Sequence, residues 1–296
     1  MTRRRPAKGG RSSSRRVPIL VGLALVAVFV AGIVWFLYPR SAGTPTAWAR
    51  LGTADVHALA FDPADPERLL FGHHDGLLAS ADGGRSWQPT ELSGADAMNI
   101  GRLDGSRLQI AGHEVYLESL DGGGTWIPVP NDLPGLDLHA FAADPADADR
   151  AWTFAVGQGL FRTEDAGRHW ELLDANNWGA LTAYRSGGVT VLAAIGPEGL
   201  ARSRDGGVTW EPMGYPGAPL AALAAAPDGS ALYAATSAGI RRSTDEGRTW
   251  SDTGFRGQAL ALAVSPTDPQ RLAAVDADTL FYASPDGGST WPDPGS

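Results

Sequence analysis

The 296-residue chain contains no cysteine. That absence excludes disulfides, thiolate metal sites, cysteine nucleophiles and a cysteine-borne lipid anchor. Acidic residues are missing from the first forty positions, where seven basic ones (Arg3, Arg4, Arg5, Lys8, Arg11, Arg15, Arg16) precede an uncharged run from Val17 to Tyr38. The run is long enough to cross a bilayer as one helix, and its basic flank belongs on the cytoplasmic side. Beyond position 40 the balance inverts to 16 basic against 33 acidic side chains, a formal charge of −17. Such a domain is a poor match for nucleic acid or an anionic membrane surface.

The expected organisation is a basic cytoplasmic tail (1–16), a transmembrane signal anchor (17–38), a short linker (39–45, PRSAGTP) and one extracytoplasmic domain (46–296). The chain is then a single-pass protein of the cell membrane. The alternative is a secreted protein released by signal cleavage, for which Ser14-Arg15-Arg16 hints at a twin-arginine signal. The apolar run exceeds the usual signal-peptide core. The nearest A-x-A, Ala47-Trp48-Ala49, falls inside the folded domain.

That domain is written in one motif. Ser/Thr-x-Asp-x-Gly-x-x-Trp occurs six times: Ser80 to Trp87, Ser119 to Trp126, Thr163 to Trp170, Ser203 to Trp210, Ser243 to Trp250 and Ser284 to Trp291. Successive tryptophans are 39, 44, 40, 40 and 41 residues apart. A period of this size, with glycine-rich turns and β-type flanks, predicts an all-β, six-bladed β-propeller of four strands per blade. The inner strands are expected at Val56–Phe61, Ala97–Gly101, Leu138–Ala142, Ala180–Tyr184, Ala221–Ala225 and Leu260–Val264. Ala47 to Leu51 (AWARL) resembles the outer strands and is expected to close the ring on the sixth blade, which has too few residues after Trp291 for an outer strand of its own. The box aspartates (Asp82, Asp121, Asp165, Asp205, Asp245, Asp286) and tryptophans (Trp87, Trp126, Trp170, Trp210, Trp250, Trp291) read as structural: the carboxylates take turn amides and the indoles pack between sheets.

On these six boxes the region 47–296 resembles the BNR or Asp-box repeat proteins, a group that includes sialidases, sortilin ectodomains and photosystem II assembly propellers. It is similar in appearance to small exported bacterial Asp-box propellers labelled glycosyl-hydrolase-like. The sialidase branch implies an early Arg-Ile-Pro motif and an arginine triad. Arg-Ile-Pro does not occur in this chain, and its arginines sit mostly in boxes or after Asp-Pro turns. True sialidase activity is therefore not expected, and the chain reads as a binding protein rather than an enzyme.

Subtracting the repeat leaves one asymmetry. Asp55-Val56-His57, Asp96-Ala97-Met98 and Asp137-Leu138-His139 fill equivalent slots at the start of three consecutive inner strands, and the later blades lack the pattern. Residues two apart on a strand share a face. A second set lies at the turn between the second and third strands: His73 and His74 in blade one, His113 and Glu114 in blade two. Both sets fall on the face opposite the boxes, here the top face. His73 and His74 are adjacent, so at most one points at the axis. His169 lies within a box and is set aside as decoration.

Three readings of this cluster stand together. One is a transition-metal site with His57, His73, His74, Asp96, Met98, His113, Asp137 and His139 as candidate ligands and Asp55 and Glu114 orienting them. Met98 favours copper, and histidine with carboxylate suits zinc or iron. A second is an acid–base site of a glycoside hydrolase of the sialidase-like superfamily. The third is a surface for a small ligand, glycan or protein, as in an assembly or scaffold propeller. On the other half of the same face, Trp178, Tyr215, Phe255 and Arg256 either form an aromatic binding surface or cap the core.

Overall fold

The computed structural model describes residues 45–295 apart from 64 and 218. The expected tail 1–16, spanning segment 17–38 and nearly all of the linker lie outside the described residues. Among the described residues no helix is long and apolar enough to cross a membrane.

Each repeat folds into one antiparallel four-stranded sheet, and the six sheets form a six-bladed β-propeller. Blade 1 comprises Ala58–Phe61, Leu69–His73, Gly76–Ser80 and Gln88–Ser93, and blade 2 Asn99–Arg102, Leu108–Gly112, Val115–Ser119 and Ile127–Pro128. Blade 3 holds Leu138–Asp144, Asp147–Ala155, Gly159–Thr163 and Glu171–Asp174, and blade 4 Gly179–Ser186, Val189–Gly196, Gly199–Ser203 and Glu211–Pro212. Blade 5 runs through Leu220–Ala225, Leu232–Thr236, Gly239–Ser243 and Ser251–Asp252. Blade 6 supplies Ala259–Val264, Leu272–Asp276 and Leu280–Ser284, and takes its outer strand from the start of the domain, Ala49–Arg50. Ala49 pairs with Phe281 and Arg50 with Leu280. The Trp48 backbone N–H donates to the Phe281 carbonyl at 2.7 Å, and its indole N–H to the Pro292 carbonyl at 2.9 Å. The segment AWARL thus closes the ring and covers the outward edge of Leu280–Ser284.

The strands read alternately small and large because both faces of every blade are covered. One apolar cluster fills each of the six gaps between neighbouring blades. Trp87 shows the geometry: its ring meets Phe71 of its own blade edge-on at 6.3 Å and Phe281 of blade 6 at 5.3 Å.

The box places that tryptophan. Ser80 Oγ accepts the Gly84 N–H at 2.8 Å and donates to Asp82 Oδ1 at 2.9 Å. Asp82 Oδ1 accepts the Ser86 N–H at 2.9 Å, Oδ2 takes the Ser86 hydroxyl at 2.6 Å, and the Trp87 indole N–H closes on the Gly84 carbonyl at 3.0 Å. Gly84 has φ of +95°, and a Cβ there would overlap the Phe281 ring at 2.1 Å. Glycine therefore serves both the turn and the neighbouring blade. In box 3 the seventh position is His169, whose Nδ1 lies 2.6 Å from Asp165 Oδ2. His169 is not decoration: it replaces the hydroxyl used in the other five boxes. The Asp165 hydrogen bond raises its pKa.

Multiple donors hold box carboxylates ionised. The Thr125 N–H, with the Ser119 and Thr125 hydroxyls, lowers the Asp121 pKa to about 2, and the Thr249 hydroxyl and N–H with Ser243 do the same for Asp245. Against an unfolded value of about 3.9, a lowered folded pKa contributes stability that is present above pH ~4 and lost as pH falls toward ~2. Urea midpoints followed by tryptophan fluorescence should therefore drop steeply between pH 4 and 2, and less steeply in Asp121→Asn. His169 has the opposite sign. Its raised pKa stabilises fully below its ordinary value of 6.5, and the contribution is lost as pH rises through the folded value. His169→Thr should flatten the stability profile on the alkaline side of pH 6.5, and an unchanged slope would refute the role given to this side chain.

Candidate functional site

The top face is built where the pseudo-symmetry of the ring breaks. In blades 3 to 6 each inner strand opens with a register shift, at Leu138/Ala140, Gly179/Thr182, Leu220/Ala222 and Ala259/Ala261. Blades 1 and 2 begin their inner strands later, at Ala58 and Asn99, with continuous register. The residues before them, Asp55–His57 and Asp96–Met98, are non-strand. The face-sharing rule for strands consequently does not govern Asp96 and Met98. Instead the Met98 N–H turns back onto the Asp96 carbonyl at 3.0 Å.

Two glycines make room for that turn. A Cβ on Gly112 would sit 1.8 Å from the Asp96 carbonyl oxygen, and one on Gly72 would sit 2.2 Å from that of Ala97. The segment is wedged between the second strands of blades 1 and 2, and the Ala97 N–H donates to His73 O at 3.1 Å. Asp96 is thereby driven inward, to 7% exposure.

Around Asp96 the imidazoles of two blades converge. Its Oδ1 lies 3.1 Å from His57 Nε2, and its Oδ2 lies 3.2 Å from His74 Nδ1 and 2.9 Å from His113 Nδ1. The far nitrogen of His113 continues the chain of contacts, with Nε2 2.8 Å from His139 Nε2 and 3.1 Å from Asp137 Oδ1. His139 Nε2 is 3.0 Å from the same oxygen. Asp55 anchors the other end, where its Oδ1 accepts the His74 N–H at 2.9 Å and its Oδ2 is 3.8 Å from His57 Nε2. Seven of the ten candidate residues thus form one continuous network over blades 1 to 3.

The other three stand apart from it. His73 stacks on Phe71 at 6.2 Å, and its Nδ1 accepts the Asp75 N–H at 3.2 Å, so it serves its own turn while its neighbour His74 meets Asp96. Burial lowers the His73 pKa. Glu114 adopts a left-handed φ of 56° on the exposed turn, its N–H held by the Leu136 carbonyl at 2.9 Å. Met98 lines the central cavity beside His57 and His139.

That cavity has a volume of about 760 Å³ and is walled by all six inner strands. From blades 4 to 6 the wall consists of alanine, leucine, valine, threonine and proline, without a carboxylate. Toward the box side, burial pulls the Arg102 pKa down to about 10 although Asp62 lies 3.6 Å away. Of the aromatic candidates on the other half of the top face, Trp178 is buried against Trp210 at 4.1 Å and Phe255 against Tyr282 and Trp291 at 5.1 and 5.0 Å. Both cap the core. Tyr215 is 77% exposed, and Arg256 is exposed as well.

Sequence reading passed over Gly72 and Gly112, although the repeated Gly-His step (Gly72-His73, Gly112-His113) marks both. The model of the family described as photosynthesis system II assembly factor YCF48 matches residues 46–193, half of the chain. The chain belongs to this family. Among solved structures, "YCF48 bound to D1 peptide" is 22% identical, covers 87% of this chain and 85% of its own, and superposes with a TM-score of 0.50. YCF48 from Cyanidioschyzon merolae is 19% identical over 84% of this chain and 88% of its own, at a TM-score of 0.52. A GH74 xyloglucanase from Xanthomonas campestris is 18% identical at a TM-score of 0.55, but this chain spans only 46% of that enzyme. At such identities the likeness is one of fold. No curated protein matches the chain. Membership in the YCF48 family places it with assembly factors rather than with enzymes, in line with the scaffold alternative and the missing Arg-Ile-Pro.

The glycine wedge is testable. Gly112→Ala should cost about 1–3 kcal/mol in denaturant unfolding, because backbone must shift to admit the methyl group. Gly105→Ala, whose Cβ would meet nothing within 4 Å, should stay within about 0.5 kcal/mol of the parent. Equal effects at the two positions would show that the Asp96 segment is not held as described.

Proposed function

We propose that this protein is an extracytoplasmic binding propeller that holds a polypeptide segment of a partner on its top face during assembly, and is not a catalyst. The observation that carries this reading is the match of the assembly-factor family to residues 46–193, the span that contains blades 1 to 3 and every member of the histidine–aspartate network. The solved YCF48 with a D1 peptide supports a peptide as the kind of ligand. A rim of carboxylates and imidazoles offers hydrogen-bond acceptors and donors to an extended backbone and to basic side chains. The uncharged run 17–38 supports a membrane tether that keeps the propeller near a membrane partner, and cleavage would leave the same domain secreted.

The hydrolase alternative has less in its favour. Glycoside hydrolysis needs two carboxylates flanking a sugar. Asp55, Asp96 and Asp137 all lie on one side of the ring among imidazoles, and the cavity wall from blades 4 to 6 has no carboxylate to oppose them.

A photoreactive amino acid at His74, exposed on the top face, should crosslink the full chain in its own membranes to one contiguous segment of one protein, identified by mass spectrometry. The same group at Val208, 61% exposed in a box on the opposite face, should give no such product. Equal labelling from both positions, or none from His74, would defeat the proposal.

A further inference from the structure

We propose that His113, Asp137 and His139 bind one divalent first-row transition-metal cation of the zinc type on the rim of the top face. The three donor atoms are His113 Nε2, His139 Nε2 and Asp137 Oδ1. They form a nearly equilateral triangle with edges of 2.8, 3.1 and 3.0 Å. Ligand atoms about 2.1 Å from one ion stand about 3.0 Å apart at octahedral right angles and about 3.4 Å apart at the tetrahedral angles zinc usually adopts. The triangle has the dimensions of an octahedral face, needs to open by only a few tenths of an ångström for a tetrahedral one, and leaves the remaining positions to solvent.

A proton does not satisfy this arrangement as well as an ion does. One proton can bridge the two imidazole nitrogens, yet Asp137 Oδ1 then remains at about the same distance from both. That oxygen is shielded from solvent and has no aligned hydrogen-bond donor. Asp96 adds an independent sign. It is 93% buried, and neither of its oxygens has an aligned donor although three imidazoles lie within 3.2 Å. Its Oδ2 lies 2.9 Å from His113 Nδ1, on the opposite side of the ring from the triangle. In the tautomer that carries the His113 proton on Nδ1, beside that carboxylate, the Nε2 lone pair is free to face the ion. Turned into line with the Asp96 oxygen, the Nδ1–H would complete the carboxylate–histidine–metal relay that fixes tautomer and ring orientation at metal centres.

The donor set selects the class of ion. Two imidazoles and a carboxylate suit zinc and its divalent neighbours. No sulfur is among the three atoms, so the preference for copper that Met98 brought has no donor behind it. The loose group of Asp55, His57 and His74 is the competing location. There Asp55 Oδ2 stands 3.8 Å from His57 Nε2, and the His57 and His74 ring nitrogens face Asp96 at 3.1 and 3.2 Å rather than one another. The site does not depend on which partner the face takes, so its test uses zinc alone.

The full chain, produced without a polyhistidine tag and stripped with chelator, is titrated with zinc chloride by calorimetry, with cobalt(II) absorption as a second readout. The expected result is one zinc per chain, binding lost in His139→Ala and in Asp137→Ala, and affinity about 10–100-fold weaker in Asp96→Asn, where His113 loses its orienting carboxylate. His169→Thr, on the opposite face, should bind as the parent does. His139 and Asp137 are half-exposed side chains, so their apo melting temperatures should match the parent and separate lost ligation from lost folding. Absence of binding at about 100 μM zinc, unchanged affinity in His139→Ala and Asp137→Ala, or loss confined to His57→Ala and His74→Ala would overturn the assignment.

Discussion

A sheet that stands radially around an axis has two faces to keep from water and no layer above or below to do it. Each blade must therefore use its neighbours, and the first must meet the last. That requirement governs the rest of the molecule. It explains why Ala49–Arg50 leaves the start of the domain to pair with Leu280 and Phe281, and why Trp48 is tied to Pro292 across the seam. It also explains the boxes. A tryptophan in the gap between two blades must be set at a fixed angle, and the Ser–Asp–Gly hydrogen bonds do so with local sequence alone. The fifth-position glycine then admits the neighbour's aromatic ring, Phe281 against Gly84 and Tyr116 against Gly167.

Because closure and box packing hold the ring at its outer and lower parts, the turns on the opposite face are released from that duty and can differ from blade to blade. Blades 1 and 2 use this freedom. By starting their inner strands two residues late they leave a non-strand segment at the axis, and Gly72 and Gly112 let the second copy sink between them. The outcome is a polar cluster on the top-face side of the first gap, beside the apolar packing of Leu77, Ala97 and Ile110.

The blade count, the closing segment and the structural part played by the boxes were all legible, since each follows from a pattern that recurs six times and errors in one copy are corrected by the others. The network was legible in part. That histidines and aspartates of three blades share one face follows from topology, and holds whatever the local register. Which of them touch does not follow, because contact depends on a one-residue offset at the start of each strand. The turn at Asp96–Met98 is such an offset. It sends the Asp96 carboxylate among the imidazoles and leaves Met98 in the cavity wall. His73 and His74 illustrate the same limit, since adjacency separates them onto two faces without saying which goes where. His169 was misjudged for another reason: a histidine in a hydroxyl position looks like a departure from the motif until its Nδ1 is seen to make the same bond.

The placement of Asp96 bears on function through its energetics. Moving a carboxylate out of water costs several kcal/mol even after relaxation, and imidazoles, neutral for much of the physiological range, are weaker compensation than an arginine at the same distance. Clusters of this kind can often be replaced by packed apolar side chains with no loss of stability. The first gap of the ring has such packing beside the cluster, where Leu77, Ala97 and Ile110 are buried together. Stability alone therefore does not account for Asp96. What the carboxylate adds is position: it stands within 3.2 Å of one nitrogen each of His57, His74 and His113, and through His113 reaches His139 and Asp137. Five side chains from three blades are thereby gathered before anything binds, so a ligand on this rim meets groups already brought together.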